Sequence, residues 1–188
     1  MYDRYQGLIF DMDGTILDTE PTHQKAWQQV LAGYGVNYDA AAMTALNGSP
    51  TWRIAQAIIS RHQVDIDPYQ LAAEKAAVVE EMLLDTVKPL PLIDIVKDYR
   101  GRRPMAVGTG STHGLADKLL NHLGLRDYFD AIVGADDVDN HKPFPDTFLR
   151  CAELIAVAPE NCVVFEDADY GIEAAVRAKM AVVDVRKR

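Results

Sequence analysis

Hydrophobic positions recur with two different periods along this chain, and the changes of period set its organisation. Leu8-Ile9-Phe10 is a short apolar run that follows Gly7 and stops at Asp11-Met12-Asp13. A continuous run of that length predicts a strand buried on both faces, as in a parallel sheet. Beyond it the spacing turns helical. Trp27, Val30, Leu31 and Tyr34 lie at i, i+3, i+4 and i+7 behind Pro21, and His23 sits one turn before Trp27 on the same stripe. Gly33 and Gly35 end that helix. Asp39 can cap a short helix reaching Leu46, Asn47-Gly48-Ser49-Pro50 forms a loop, and Pro50 opens a helix with Ile54, Ala57 and Ile58 inward. Asp67-Pro68 starts a long helix to about Leu84, whose apolar face is Leu71, Val78, Val79 and Met82. Lys75 falls in the middle of that arc. It either snorkels to the edge or points into a cleft that holds negative charge.

From about Pro89 short apolar runs alternate with amphipathic stretches. Met105-Ala106-Val107-Gly108 predicts a strand leading into Thr109-Gly110-Ser111, then a helix to about Leu123. Ala131-Ile132-Val133-Gly134 predicts the next strand, followed by Asp136-Asp137 and His141-Lys142-Pro143; the aspartate pair and His141 read as solvated loop residues. Asp146 is placed to cap a helix through Phe148, Leu149 and Ala152. Cys162-Val163-Val164-Phe165 predicts a strand ending at Glu166-Asp167, with Gly171 and a helix to about Ala178 behind it, and residues 181–185 close the sheet. The expected fold class is α/β: a doubly wound, Rossmann-like, mostly parallel sheet with an inserted small α-helical cap. Residues 1–15 and 89–188 would form the core domain and residues 16–88 the cap, folded over the carboxyl edge of the sheet.

Ligands of parallel sheets sit at the carboxyl ends of the strands, and here those ends carry chemistry. Asp11 and Asp13 can aim the same way, being two apart. Two carboxylates at 4 Å repel by roughly 4 kcal/mol at an effective dielectric of 20. Such a pair persists where a metal ion compensates it, or where one member stays protonated. Thr109-Gly110-Ser111 offers hydroxyl and amide donors to an anion at a helix start; Lys142 adds an ammonium, and Glu166-Asp167 two more carboxylates. Each has a plainer alternative, an acidic helix cap or a surface lysine. As a set they suit a hard divalent cation bound together with a substrate phosphate. That points to phosphoryl transfer, in which positioning and charge neutralisation supply most of the catalysis.

The bulk properties narrow the partners. With 188 residues, 48% hydrophobic and 25% charged, the chain can form one ordinary domain with a smaller satellite. A formal net charge of −9 argues against nucleic acid or an acidic membrane as partner. Cys151 and Cys162 fit neither a disulfide framework nor a zinc pattern and read as buried thiols in a reducing compartment. Residues 1–5 have no signal-peptide character and no stretch is long and apolar enough to span a membrane, so a cytoplasmic monomer or weak dimer is expected.

Asp11-Met12-Asp13-Gly14-Thr15, Thr109 with Gly110 and Ser111, Lys142 before Pro143, and Glu166-Asp167 resemble, in order, the four motifs of the haloacid dehalogenase-like hydrolase superfamily. The resemblance covers essentially the whole chain. It is nearest to the sugar-phosphate branch that contains β-phosphoglucomutase and the small bacterial fructose-1-phosphate phosphatases. It implies that Asp11 attacks phosphorus to form an aspartyl-phosphate, and that Asp13, with a raised pKa, protonates the leaving oxygen and then deprotonates water. It implies Mg2+ held by Asp11, the backbone carbonyl of Asp13, and Asp167, with Glu166 close by. Thr109, Gly110 and Lys142 would bind the phosphoryl oxygens, with Ser111 beside them.

In the cap, Thr19, His23 and Lys75 resemble the β-phosphoglucomutase pattern that couples cap closure to Asp13, which moves Lys75 and His23 into the cleft. Asn47, Gly48 and Ser49 resemble the loop that reaches towards the sugar. Thr51 stands where the mutase has an arginine for a second phosphate, and Arg53 lies half a turn away. Losing that bidentate clamp favours net hydrolysis of a phosphorylated hexose, fructose 1-phosphate being the best match. A phosphomutase, a 2-haloacid dehalogenase and a non-catalytic sugar-phosphate sensor are the alternatives. Asp13 and Asp167 count against the dehalogenase, and Asp13 against the sensor.

Overall fold

The computed structural model describes residues 1–47 and 49–187, apart from the side chain of Ala45. The strands are β1 (Gly7–Phe10), β2 (Leu17–Asp18), β3 (Lys88–Pro89), β4 (Met105–Gly108), β5 (Ala131–Val133), β6 (Cys162–Glu166) and β7 (Ala181–Asp184). Five of them form one sheet in the order β5-β4-β1-β6-β7, every neighbouring pair parallel. The first strand is therefore the centre of the sheet, which explains its unbroken apolar run: Leu8, Ile9 and Phe10 have no exposed surface.

Alternation along β1 feeds two cores. Leu8 and Phe10 join Val107, Val163, Phe165, Val96 and Leu119 on one face. Ile9 joins Ala106, Val164, Phe148, Cys151 and Ala174 on the other. The covering helices are α5 (Ile93–Tyr99) and α6 (His113–His122) on the first face, α7 (Asp146–Leu154) and α8 (Asp169–Arg177) on the second. The sheet is doubly wound, as expected from the sequence. Phe10 stacks on Phe165 at 4.7 Å, and the Tyr2 ring meets Phe165 edge-on at 4.8 Å.

Between β2 and β3 the chain folds as a helical insertion: α1 (Glu20–Ala32), α2 (Ala40–Met43) continued by a 3-10 turn to Leu46, α3 (Thr51–His62) and α4 (Pro68–Thr86). Asp39 caps α2 and Asp67 caps α4 by accepting from Tyr69 and Gln70 amides. Trp27, Leu31, Met43, Ala55, Ile58 and Leu71 give the insertion a core of its own. It leaves and rejoins the sheet domain side by side, where β2 and β3 pair antiparallel and Leu90 N donates to Ile16 O at 2.8 Å. Two-residue strands, one containing Pro89, carry no period, so this pair is invisible to pattern reading; α5 is likewise unforeseen.

Two local expectations change. Asp146 does not cap α7: it is the first helical residue behind Pro145, and its carboxylate accepts from Asn140 Nδ2 at 2.9 Å. Proline at that entry supplies the preset φ in place of a side-chain cap. His141 is half-buried rather than solvated, its ring edge-on to Trp52 of α3 at 6.4 Å. Both cysteines are free and buried, and among the described residues no helix is long and apolar enough to cross a membrane.

Because Phe165 joins β1 to the domain's larger core, Phe165→Ala is expected to cost about 3–5 kcal/mol of unfolding free energy. Urea titration checks this, and a loss below about 1 kcal/mol would show that the ring stack is not what holds β6 against β1.

Candidate active site

The site begins where β1 ends. The register sets Phe10 beside Val107 on one side and Phe165 on the other, so the residues after them converge at one sheet edge. Asp11 is 4% exposed, Glu166 0% and Lys142 1%. Lys142 Nζ donates to Asp11 Oδ1 at 2.6 Å, Glu166 Oε1 at 2.8 Å and Gly108 O at 3.1 Å, and stands 4.7 Å from the Phe148 ring centre. All three ammonium protons are thus engaged. Burial opposes the charged lysine, but Asp11 and Glu166 outweigh it and raise its pKa. Glu166 is fixed from behind by the Ala168 amide at 2.6 Å. Gly171 leaves the room for it, since a Cβ there would lie 1.6 Å from Glu166 Oε1.

Asp167 completes the acidic end. Thr15 Oγ1 donates to its Oδ1 at 3.1 Å. Gly14 is required beside it on two counts: its φ is +79°, and a Cβ would meet Asp167 Oδ2 at 2.4 Å. Oxygen atoms of Asp11, Glu166 and Asp167 all lie within 4.8 Å of one another. Three carboxylates against one ammonium leave an excess of negative charge in a buried place. Accordingly burial, with Glu166, Asp167 and Asp13 adding to it against Lys142, pushes the Asp11 carboxyl well up. Burial and Glu166 push Asp167 up to about 6, against Thr15 and Lys142. An all-oxygen donor set that strains to hold a proton fits a hard cation.

Asp13 has a different set of partners. Its Oδ1 accepts from Thr19 Oγ1 at 2.7 Å and lies 3.3 Å from His23 Nε2; its Oδ2 accepts from Thr109 Oγ1 and Ser111 Oγ, both at 3.0 Å. Burial would raise its pKa, yet these donors, His23 foremost, hold the carboxyl well below the usual range. Asp13 is therefore a firm carboxylate here, not the raised acid the sequence led one to expect. The physical reason is four hydrogen-bond donors around one half-buried group.

Lys75 does not snorkel. It is 5% exposed, and its Nζ lies 2.7 Å from His23 Nδ1 and 5.7 Å from the Trp27 ring centre. An ammonium can only donate, so His23 Nδ1 is the acceptor and Nε2 carries the proton towards Asp13. Burial lowers Lys75 to about 8, against the attraction of Asp13 and Glu20.

These groups open on one cavity of about 80 Å³, lined on the sheet side by Asp11, Asp13, Gly110, Ser111 and Asp167. The insertion contributes Glu20, His23, Trp27, Tyr38, Asn47, Ser49, Thr51, Ile54 and Lys75. So Asn47 lines the cavity as the sequence implied, while Gly48 lies outside the described residues. Ser49 Oγ is buried there without a hydrogen-bond partner. Thr109 and Lys142 stand just behind the wall, and Lys142 reaches the cavity through Asp11. Glu20 and Tyr38 were missed; burial, then Glu20 and Asp39, raise the Tyr38 hydroxyl to about 12. Glu20 was findable, since it shares the i, i+3, i+7 stripe of His23 and Trp27. Arg53 does not substitute for the missing clamp: its guanidinium lies over the Tyr170 ring at 5.2 Å, and Thr51 faces the cavity instead.

A parallel sheet with a helical insertion over its carboxyl edge, and a nucleophile-bearing first strand beside a buried lysine and paired acids, define a family. The chain belongs to the haloacid dehalogenase-like hydrolases, whose family model matches residues 8–185. It is 67% identical to the fructose-1-phosphate phosphatase YqaB of Escherichia coli (strain K12), covering 99% of both chains. It is 32% identical to a phosphorylated carbohydrates phosphatase of Thermotoga maritima, over 92% of this chain and 81% of that one. The crystal structure of β-phosphoglucomutase from Clostridium difficile superposes with a TM-score of 0.84 at 28% identity, over 95% of this chain and 83% of that one.

Because Asp167 is pushed up to about 6, the stability its proton contributes falls away as pH rises from about 4 through about 6, and Asp11 is shifted in the same direction. A divalent cation held by these carboxylates would compete with such protons, so its effect would run the opposite way. Added Mg2+ should raise the melting temperature clearly at about pH 7.5 and little at about pH 5. Equal increments at both pH values, measured by differential scanning calorimetry, would exclude this trio as the cation site.

Proposed function

We propose that the chain is a Mg2+-dependent sugar-phosphate phosphatase acting on a phosphorylated hexose, with fructose 1-phosphate as its substrate. The observation that carries this is the full-length likeness to the E. coli fructose-1-phosphate phosphatase. The cavity supports it, with the Asp11 and Asp13 carboxylates and the Gly110–Ser111 turn sharing one wall.

In this reading the carboxylate of Asp11 attacks phosphorus, the P–O bond to the sugar breaks, and Asp13 gives the leaving oxygen a proton. A water then loses its proton to Asp13 and attacks the aspartyl-phosphate, releasing inorganic phosphate and restoring Asp11. Lys142, through its bond to Asp11 Oδ1, aims the nucleophile and neutralises charge. Thr109, Gly110 and Ser111 bind phosphoryl oxygens. Mg2+, held by Asp11, Asp167 and the Asp13 carbonyl with Glu166 close by, would supply the remaining neutralisation. Asn47, Thr19, His23 and Lys75 line or support the sugar side of residues 16–88, taken as the cap domain. The cytoplasm is the proposed location, for a monomer or weak dimer.

The donors around Asp13 explain its change of role. A carboxylate has about four lone-pair directions, and all four are used here. The leaving oxygen must displace at least one donor, and each loss raises the pKa towards that of an acid. Net hydrolysis is favoured over phosphate return to the sugar because the wall position where the mutase pattern has an arginine is Thr51.

Asp11→Asn should lower phosphate release from fructose 1-phosphate by roughly a thousandfold or more. Asp13→Asn should lower it by roughly 10²- to 10⁴-fold. Turnover by Asp11→Asn at the wild-type rate would exclude the covalent step, and accumulation of an isomerised sugar phosphate without free phosphate would favour a mutase.

A further inference from the structure

The Thr109–Ser111 segment is held by a neighbour that the reaction itself does not use. Its other side is fastened to residues 133–137, the turn that leaves β5. Thr109 N donates to Val133 O at 3.0 Å, and Ala135 N to Ser111 O at 2.8 Å. One residue further on, His113 N donates to Asp136 Oδ1 at 2.6 Å, and His113 Nδ1 lies 2.7 Å from Asp137 Oδ2. The same Asp137 oxygen accepts from Gly134 N at 2.8 Å. Thr112, at the N-terminal boundary of α6, makes no side-chain cap bond; Asp136 does that work from another segment. Asp136 and Asp137 are exposed, as solvated residues should be, but they sit in a 3-10 turn and their carboxylates are hydrogen-bonded.

Gly134 sits at the closest point of this seam. A Cβ there would lie 2.2 Å from His113 N and 2.7 Å from His113 Cα, both backbone atoms. Its φ of −93° and ψ of 177° are open to any residue. Glycine is needed for clearance alone, so the two backbones must run at this separation.

We propose that Gly134, Asp136 and Asp137 are positioning residues for the phosphoryl step, clamping residues 111–113 so that the Thr109 and Ser111 hydroxyls meet Asp13 and the phosphoryl group at the required height. The proposal rests on the phosphatase reading of that loop. Stability alone is a poor reason for the clamp. His113 and Asp137 have side chains 42% and 34% exposed, and ion pairs so exposed contribute little to stability. Position is different: an error of about 1 Å at a reacting group can cost about a hundredfold in rate.

The test uses the full chain with Mg2+ and fructose 1-phosphate, comparing Gly134→Ala, Asp136→Ala and Asp136→Asn. Gly134→Ala and Asp136→Ala should lower kcat by about 10- to 100-fold and speed amide hydrogen exchange at residues 110–113. Asp136→Asn keeps an acceptor for His113 N and should recover most of the wild-type kcat. Folded Gly134→Ala and Asp136→Ala proteins with kcat and KM within about twofold of wild type overturn the proposal, whatever happens to their stability. Should Gly134→Ala fail to fold, the Asp136 pair decides: equal kcat for the alanine and asparagine variants overturns it. Should the wild type release no phosphate from any sugar phosphate, the phosphatase reading falls instead. Amide exchange in the same variants then judges the clamp, supporting it if faster at residues 110–113 and overturning it if unchanged.

Discussion

The structure depends on one buried ammonium. Lys142 bridges two carboxylates at the end of a sheet whose neighbouring strands bring them together in register. Without a cation at that point Asp11 and Glu166 would share a dry space with like charge, and truncating one partner of such a group typically costs about 3–5 kcal/mol. The surroundings are built to hold the lysine rather than to soften its absence. Phe148 lies across it, and the Gly108 carbonyl takes its third proton.

That one charge also divides the site. On its side stand Asp11 and Asp167, short of positive charge and drawn towards protons or a cation, with Glu166 beside them. On the other side stands Asp13, oversupplied with donors and firmly ionised. The two aspartates lie two positions apart in sequence, yet their environments drive their proton affinities in opposite directions. Such a separation of neighbouring carboxylates is how one site can offer both a nucleophile and a proton carrier. It arises from which strand end each residue faces, and needs no difference in residue type.

Much of this was legible beforehand. The doubly wound core, the insertion and the four chemical strand ends follow from periodicity, because buried parallel strands and amphipathic helices leave strong patterns. The lysine on the apolar arc of α4 was legible as an anomaly, and the His23 nitrogen that receives it could be named only with coordinates. Asp136 and Asp137 were illegible for a related reason: their partners are a backbone amide and a histidine more than twenty residues away, and no local pattern records them. The same holds for Gly134, whose conformation is ordinary and whose importance lies in what passes beside it. The resemblance implied a raised Asp13 in the closed site, whereas the donors around it here hold it low. Burial was foreseeable from the strand, whereas the donors that reverse its effect come from α1 and the loop after β4.

Asp13 is also where the two parts of the molecule meet. Two of its donors, Thr19 and His23, belong to the entry into the helical insertion, and two, Thr109 and Ser111, to the sheet domain. His23 is in turn held by Lys75 on α4, so the insertion acts on the proton carrier through a chain of two hydrogen bonds. Any change in how the insertion sits must alter the number of donors on this one carboxylate, and with it the proton affinity. Asp11 escapes that coupling, since it accepts from Lys142 and its backbone N–H donates to Phe165 O of β6. In the proposed reading the nucleophile is thereby set by the sheet, while the proton carrier answers to the insertion.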